Sequence, residues 1–309
     1  MIGLCCHYVV PVTKRNGTIE YDNILNERTL QFKAFNSGKY SKEKVLDTYI
    51  NNISYVKSIL NKILNEGIKS YRMSTGVFPL WDIVSDDIKN NDLVLSTLKE
   101  IGAFVLKNNM RITCHPDQFV VLSSDNPNVR DNSLKTLSMH AWIFDKMELP
   151  KTPYYSINIH GGKGGNGKQL IESICALPDS IKNRLTLEND ESSYSVADLY
   201  EVYANTQVPV CFDSHHHSFN DGGMSAEDAM NKAFTTWGTS KPMTHLSNTT
   251  PGLESGSFRE KRKHSDYVHY IPEYQLKAHS ENKTDIDFEF KMKNLAIFKA
   301  VKDFNISLV

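Results

Sequence analysis

Eight short apolar segments, separated by longer amphipathic stretches, constrain the fold of this chain more than any other feature of its sequence. They are IGLCC at 2–6, KSYRM at 69–73, MRITC at 110–114, YYSINIH at 154–160, RLTLE at 184–188, VPVCFD at 208–213, KPMTHL at 241–246 and DIDFEF at 285–290. Helical patterns lie between them, at 42–66, 87–108, 130–147, 168–176, 195–206 and 225–235. This alternation is typical of parallel strands joined by crossover helices. Eight strands predict a closed TIM-type (β/α)8 barrel of the α/β class, and an open doubly wound sheet is the alternative.

The length of 309 residues suits one such barrel, and no repeat or linker composition divides the chain. We therefore expect a single domain over residues 1–309, acting as a monomer. No run of eighteen apolar residues and no leader with a small-residue cleavage site is evident, which predicts a cytoplasmic protein without a membrane span or signal peptide. The five cysteines are an odd number and widely spread, which favours reduced thiols over a disulfide framework.

Potential metal ligands end every predicted strand from the third onward. A single histidine in such a place is usually a hydrogen-bonded structural residue, but several carboxylates buried together are costly unless cations neutralise them. In a barrel of this type, the carboxyl ends of the strands form the mouth where active sites lie. Imidazole and carboxylate ligands suit manganese, zinc, cobalt or iron better than a structural thiolate site. The sequence therefore predicts a metal site at the C-terminal mouth, built from His115, His160, Glu188, Asp213, His245 and Glu289.

Six short motifs occur in order along these strand ends. They are TCHPDQF at 113–119, HGG at 160–162, LENDE at 187–191, DSHHHSFN at 213–220, HLS at 245–247 and HSDY at 264–267. Each is weakly specific alone. The ordered set, which extends from about residue 69 to 290, resembles the UV damage endonuclease family, related in its barrel and metal site to endonuclease IV.

The resemblance implies a cluster of two or three divalent ions per chain, with manganese as the first choice and zinc, cobalt or magnesium as alternatives. One ion would be held by His115, His160 and Glu188, and Glu188 would bridge to a second. The second would also bind Asp213, His245 and Glu289, and a third would bind His216 and His264. The resemblance assigns catalysis to Glu188, His115, Asp213 and Glu289.

The chain departs from the family pattern at several positions. Met243 stands where some members carry a modified lysine, and residues 81–83 replace a loop that holds a histidine. Cys6 replaces an aromatic residue after the first strand, and Phe119 replaces a tyrosine. These differences concern the third metal and the lesion contacts, whereas the remaining ligand set is complete.

The function implied by the resemblance is metal-dependent DNA repair. Such an enzyme nicks the phosphodiester backbone 5′ of UV photoproducts, and also of abasic sites. Its partner is damaged double-stranded DNA, on which it acts at the nucleoid, and it needs no nucleotide cofactor. The alternatives are a divalent-metal sugar isomerase or epimerase of the xylose isomerase type, and a DNA damage-binding protein without catalysis. The formal net charge of −1 does not exclude a nuclease, because a local basic patch and bound cations decide phosphate binding.

Two neighbours of the first histidine motif are candidates for lesion recognition. Gln118 and Phe119 follow His115, so an amide and a flat ring would lie at the barrel mouth, where they could enter the gap beside an unstacked lesion. The alternative is that Phe119 begins an apolar cap on the barrel. Tyr8, in the loop after the first strand, is the next candidate.

Two cationic segments are candidates for contact with DNA phosphates. The loop GKGGNGKQ at 162–169 nearly matches a nucleotide phosphate loop, but Gln169 stands where a serine or threonine should reach magnesium. We instead predict that Lys163 and Lys168 contact the DNA backbone. The second segment, REKRKH at 259–264, should form a patch at the mouth made of Arg259, Lys261, Arg262 and Lys263.

Two further predictions concern histidines and aromatic residues. Of the triple at 215–217, we expect His216 alone to be a metal ligand. Trp142 and Phe144 lie in a helical pattern and are predicted to be core residues.

Overall fold

The computed structural model describes residues 1–23 and 27–309, and in it eight parallel strands close into a barrel. The barrel strands are β1 (Ile2–Cys5), β4 (Ser70–Met73), β5 (Arg111–Cys114), β6 (Ile157–His160), β7 (Leu185–Glu188), β8 (Val210–Asp213), β9 (Met243–Leu246) and β10 (Asp285–Phe288). Each pairs with the next barrel strand along the chain, and β10 closes on β1. All eight predicted strands and the closed barrel are confirmed, and the open sheet is excluded.

Helices cover the outside of the barrel. They are α1 (Phe32–Asn36), α2 (Lys42–Asn65), α3 (Asp86–Lys89), α4 (Asp92–Lys107), α5 (Pro127–Lys146), α6 (Gly167–Cys175), α7 (Asp179–Lys182), α8 (Val196–Thr206), α9 (Ser214–His217), α10 (Ala226–Phe234), α11 (Phe258–Lys261), α12 (Glu273–Ser280) and α13 (Lys293–Phe304). Short 3-10 turns occur at Thr75–Val77, Pro153–Tyr155 and Thr235–Trp237. The predicted helix at 87–108 is two helices, because Asn91 starts a new one by accepting a hydrogen bond from the backbone amide of Leu93.

Helix α2 shows why these segments form helices and how they pack. Ser41 caps its first turn by accepting a hydrogen bond from the backbone amide of Lys44. Its buried apolar residues recur every three or four positions, so they form one stripe that faces the barrel. The same packing buries Phe144 completely on α5 and sets Trp142 against Phe78, as predicted for core residues. None of the helices described is long and apolar enough to cross a membrane.

A two-stranded antiparallel hairpin between β1 and α1 was not predicted. It consists of β2 (Val9–Thr13) and β3 (Ile19–Asn23), and most of its residues are exposed or half-buried. The hairpin lacks the apolar pattern that marks a barrel strand, because Pro11 lies within its first strand and its second strand is mainly polar. The hairpin is attached through the Asn294 side chain, which accepts a hydrogen bond from the Val9 amide and donates one to the Val9 carbonyl oxygen.

The narrow interior of the barrel is filled by alternate residues of the strands. Gly3 on β1 lies beside Asp287 on β10, and a Cβ atom at Gly3 would lie 2.0 Å from Asp287 Oδ1. The backbone can therefore approach this carboxylate only because residue 3 has no side chain. Apolar residues on the opposite strand faces, such as Ile159 and Phe212, join the core between the barrel and the helices.

An ion cluster closes the end of the barrel opposite the mouth. Asp285 and Arg111 are both fully buried, and Arg111 NH1 lies 2.9 Å from Asp285 Oδ2. Lys241 Nζ lies 2.7 Å from the other carboxylate oxygen. Burial alone would raise the pKa of Asp285, but Arg111 and the other cations around it hold the pKa below its ordinary value. The ion pair therefore contributes at neutral pH, and its contribution is lost only as the pH falls through this lowered pKa.

We predict that Asp285→Asn destabilises the fold by about 3–5 kcal/mol, because it leaves Arg111 buried without its counter-ion. Urea unfolding at neutral pH would measure the change. Glu281→Gln is the matched control: it breaks an exposed ion pair with Lys283 and should change the free energy of unfolding by less than about 0.5 kcal/mol. Equal effects of the two substitutions would contradict a structural role for the buried pair.

Candidate metal centre

The side chains that the sequence predicts as metal ligands come together at the carboxyl-terminal mouth of the barrel. Strand register sets their level: His160 is paired with Glu188 across β6 and β7, and Asp213 is paired with His245 across β8 and β9. Two more ligands directly follow β5 and β10. The ligand ring, as we call this set, consists of His115, His160, Glu188, Asp213, His245 and Glu289.

Glu188 is fully buried and lies at the centre of the ligand ring. Its Oε2 lies 2.7 Å from Nε2 of His115. Its Oε1 lies 3.1 Å from Nδ1 of His245 and 3.3 Å from Nδ1 of His216. Three groups of side chains place their ligand atoms within 4.8 Å of one another, and Glu188 belongs to all three. A carboxylate shared in this way can bridge two cations.

The ligand sets implied by the family resemblance are only partly reproduced as groups. The second set is assembled in full as Glu188, Asp213, His245 and Glu289. The first set is divided: His115 groups with Glu188 and His245, whereas His160 groups with Glu188 and His216. The rings of His115 and His160 nevertheless lie with their centroids 5.1 Å apart, so both border the same carboxylate.

Backbone carbonyl oxygens fix the tautomers of three histidines at the mouth. Nδ1 of His115 lies 3.1 Å from the carbonyl oxygen of the residue after it. Nδ1 of His216 and of His264 lie 3.0 and 2.8 Å from carbonyl oxygens that follow β7 and β10. Because a carbonyl oxygen can only accept, each Nδ1 carries a hydrogen, which leaves each Nε2 as the nitrogen that can bind a metal once it is deprotonated. Histidines that bind metals are commonly held in this way.

A buried hydrogen-bond chain positions Glu188. The Asn158 side-chain amide donates to Glu188 Oε2 at 2.5 Å, and its oxygen accepts a hydrogen bond from Thr186 Oγ1 at 2.7 Å. Asn158 and Thr186 lie two residues before His160 and Glu188, so strand alternation places them on the same face of the barrel wall. They therefore form the layer beneath the ligand ring and orient its central carboxylate.

Buried polar atoms that lack a hydrogen-bond partner indicate whether the ligand ring is suited to metal ions. Within the described part of the chain, four atoms of the ring are buried without a hydrogen-bond partner: His160 Nδ1, Glu188 Oε1, Asp213 Oδ2 and His245 Nδ1. The short distance between the last-named nitrogen and Glu188 Oε1 is thus a close approach without hydrogen-bond geometry. Such atoms are costly in a protein interior unless another partner satisfies them. Imidazole nitrogens and carboxylate oxygens are ligands for divalent metals, so the residues present fit such ions.

The electrostatics of the ligand ring favour entry of a cation. Burial alone would raise the pKa of Glu188, but neighbouring histidines outweigh it and hold the pKa well below its ordinary value. Burial alone would lower the pKa of His245, but nearby acidic groups, Glu188 and Glu289 among them, raise it well above its ordinary value. In the metal-free ring, imidazolium groups therefore neutralise the carboxylates. A divalent cation would take over this role and release the protons.

Arg72 belongs to this site, although the sequence analysis did not identify it. It is buried, and its NH1 lies 2.5 Å from Oε1 of Glu289. A guanidinium keeps its charge in proteins, so Arg72 adds a permanent positive charge to the ligand ring. The one indication of this role in the sequence was that Arg72 is the single charged residue of β4.

The other histidines near the mouth differ in their surroundings. Nδ1 of His264 lies 3.8 Å from Glu289 Oε2, but His264 joins none of the ligand groups formed by the described residues. His215 packs edge-on against Phe219, and His217 bonds to the carbonyl oxygen of Met224. Of the triple, His216 alone approaches Glu188 and joins a group of potential ligands, so its role as a metal ligand stays a prediction.

The residues predicted to recognise a lesion differ in exposure. Gln118 and Phe119 are exposed, and the Phe119 side chain is 79% accessible, which argues against its role as an apolar cap. Tyr8 is buried, and its hydroxyl donates to Glu66 Oε1 at 2.5 Å. The structure therefore does not support Tyr8 as a DNA contact, because the side chain is committed to packing and to this hydrogen bond.

The glycine-rich loop at 162–169 is tied to the loop that follows β5. Lys163 pairs with Asp125, and the Lys163 amide donates to Ser123 Oγ at 2.6 Å. Asn166 donates to the Ser123 carbonyl oxygen at 2.6 Å. Lys168 differs, because its side chain is 91% accessible. Lys168 Nζ lies 3.9 Å from Oε1 of the exposed Glu172, so both predicted phosphate contacts have carboxylate neighbours, although that of Lys168 is more distant than that of Lys163.

The basic run at 259–264 forms α11 and the turn after it. Arg259 and Lys263 are exposed, and Lys261 is half-buried. Arg262 is engaged in an ion pair with Glu191, which lies in the loop after β7. The run therefore contacts the loop after β7 through Arg262, and one of its four cations already has a carboxylate partner.

We predict that Asn158→Ala weakens metal binding by about 10–100-fold, because Glu188 loses the donor that orients it. Titration of the metal-free protein with Mn²⁺ would measure the affinity. Ser70→Ala is the control, since Ser70 is also buried on the strand face that lines the interior and its Oγ has no partner among the residues described. If both variants bind Mn²⁺ as tightly as the parent chain, the hydrogen-bond chain does not position the metal ligand.

Comparison with known proteins identifies the family of this chain. The model of the UV-endonuclease UvdE family matches residues 17–308. The UV DNA damage endonuclease of Nostoc sp. is 32% identical over 286 residues, which cover 88% of this chain and 85% of that protein. A crystal structure of SacUVDE matches with a TM-score of 0.79 and 28% identity, covering 98% of both chains.

A more distant likeness concerns the barrel alone. D-psicose 3-epimerase from Clostridium cellulolyticum H10 matches with a TM-score of 0.51 and 14% identity, over 76% of this chain and 79% of that one. The likeness to a sugar epimerase is thus limited to the fold. The family match spans nearly the whole chain and includes the ordered motifs at the strand ends. This chain belongs to the UV-endonuclease UvdE family.

Proposed function

We propose that this protein is a metal-dependent DNA repair endonuclease that nicks the backbone 5′ of UV photoproducts and of abasic sites. Family membership supports the class of reaction. The observation that carries the metal dependence is the position of Glu188, which is shared by three groups of potential ligands at the barrel mouth. The sugar isomerase alternative shares the barrel and a divalent-metal site, but the family match does not support it.

The ligand ring would hold two ions, and His216 with His264 would contribute to a third. Glu188 would bridge the first two. Manganese is our first choice, and zinc, cobalt or magnesium are alternatives with the same kinds of ligand. When bound, such ions would supply Lewis-acid chemistry, lowering the pKa of water and neutralising charge on the scissile phosphate.

The side chains of the chain itself orient this chemistry. Asn158 and the backbone carbonyl oxygens hold Glu188 and the histidines in fixed positions, so no reorganisation is needed when charge develops. Arg72 balances the negative charge of Glu289. Oδ2 of Asp213 has no partner among the described residues, so it can bind a cation or receive a proton from the attacking water.

Lesion recognition is assigned to Gln118 and Phe119. Phe119 is 79% accessible, so its ring is available to contact DNA. Bases at a photoproduct are poorly stacked, so inserting a ring beside them costs less than at intact bases. The amide of Gln118 can then bond to bases that have lost their partners.

The phosphate contacts would come from the exposed cations around the mouth. Arg259, Lys261 and Lys263 make no ion pair with the described residues and can meet the backbone directly, and Lys168 can do so by leaving its exposed contact with Glu172. Arg262 and Lys163 can do so by exchanging Glu191 and Asp125 for phosphates. These local charges overcome a formal net charge of −1 for the whole chain.

We predict that Glu188→Gln lowers the nicking rate on irradiated plasmid by at least about 10²-fold while DNA affinity is largely kept, because the lost charge acts mainly in the transition state. The assay follows conversion of supercoiled to nicked plasmid, with and without EDTA. Unirradiated plasmid is the control. Full nicking in EDTA, or by the Glu188→Gln variant, would contradict the proposed metal-dependent function.

We predict that Gln118→Ala combined with Phe119→Ala abolishes the preference for irradiated over intact duplex, because both wedge groups are removed. The measurement is the ratio of affinities for the two DNAs at one salt concentration, since phosphate contacts depend on salt. Leu93→Ala, which removes an exposed apolar side chain from α4, should leave the ratio unchanged. An unchanged ratio in the folded double variant would place the wedge elsewhere.

A further inference from the structure

An ion pair beside the ligand ring joins two loops that are distant in sequence. Glu191 follows β7 and Arg262 follows α11. Arg262 NH2 contacts Oε1 of Glu191, and the Glu191 side chain is only 12% accessible whereas that of Arg262 is 44% accessible. The arginine also lies 5.3 Å above the ring of Phe258, measured to the ring centroid. Solvent therefore reaches the arginine side chain of this pair, whereas the carboxylate is largely buried.

The second oxygen of Glu191 faces a histidine of the metal centre. Glu191 Oε2 lies 3.7 Å from Nε2 of His216. Nδ1 of His216 faces the carbonyl oxygen of Asn189 and therefore carries a hydrogen, which leaves Nε2 as the nitrogen that a cation can bind once it displaces any proton there. Glu188 approaches the same ring on the Nδ1 side, at 3.3 Å. The nitrogen that can bind a cation is thus directed at Glu191 rather than at Glu188.

We propose that Glu191 supplies the carboxylate of the third cation site together with His216, and that Arg262 controls the occupancy of this site. The inference rests on the proposed metal-dependent function and extends it. A histidine nitrogen and a carboxylate oxygen are a pair of ligands that divalent ions accept. While Arg262 binds Glu191, its positive charge neutralises the carboxylate and repels a cation.

DNA provides the means of removing Arg262. Phosphates compete well for guanidinium groups, and Arg262 lies in the basic run that we expect to contact the backbone. Transfer of Arg262 to a phosphate would leave both oxygens of Glu191 available beside His216. Binding of DNA and of the third cation would then favour each other, because each relieves the cost of the other. The third site would be filled when substrate is in place.

The test is titration of the metal-free protein with Mn²⁺, with free Mn²⁺ measured by electron paramagnetic resonance and no DNA present. We expect two tighter sites and one weaker site in the parent chain. Arg262→Ala should tighten the weakest site by at least about fivefold, because it removes a nearby positive charge. Glu191→Gln should weaken it by at least about tenfold, because one ligand loses its charge. The double variant should behave like Glu191→Gln.

Arg259→Ala is the matched control, since it removes the same charge from the same basic run but makes no ion pair with the residues described. It should change the weakest affinity by less than about twofold. The tighter sites should fill in every variant, which also verifies folding. Equal effects of Arg259→Ala and Arg262→Ala, or an unchanged weakest site in Glu191→Gln, would overturn the inference alone. Absence of the two tighter sites in the parent chain would instead overturn the metal-dependent function.

Discussion

The burial of Glu188 is the constraint on which the rest of the site depends. A carboxylate without access to water is costly unless cations or hydrogen bonds compensate it. Asn158 satisfies one of its oxygens, and histidines surround the other without satisfying it. The surrounding architecture follows from this requirement: strand register brings the ligands to one level, and backbone carbonyl oxygens aim the imidazoles. The ligand ring thus contains buried polar atoms that have no hydrogen-bond partner among the described residues, which suits a site for cations.

Strand β10 and the residue after it show three ways of keeping an acid inside one barrel. Asp285 is paired with Arg111, and its pKa is lowered. The two oxygens of Asp287 have no hydrogen-bond partner among the described residues, and burial raises its pKa. Glu289, at the mouth, meets Arg72 and a ring of potential metal ligands. From the closed end of the barrel to the mouth, the three carboxylates are thus a partner in a structural ion pair, a buried acid and a potential metal ligand.

At the mouth, the potential metal ligands and the proposed DNA contacts lie on different kinds of segment. The ligand ring lies on or next to strand ends, where backbone hydrogen bonds hold it in place. The groups proposed to contact DNA lie outside the barrel strands: Phe119 in the loop after β5, Lys168 in the first turn of α6, and the basic run in α11 and the turn after it. Some loop cations already have carboxylate partners, as Arg262 has Glu191. The proposed binding of DNA would therefore exchange these carboxylate partners for phosphates, which would let substrate alter the electrostatics of the centre without movement of the barrel.

The sequence by itself determined the eight strands, their alternating faces and the ligand types at their ends, because periodicity and residue chemistry are local properties. It also identified the family, because the motifs keep their order along the chain. Only the tertiary structure decided which groups meet across the barrel. Arg72 reaches Glu289, Tyr8 is buried against Glu66, and Arg262 is held by Glu191. These pairs join residues far apart in the chain, so no local pattern encodes them, and burial and ionic partners exist only after the strands close and the loops pack.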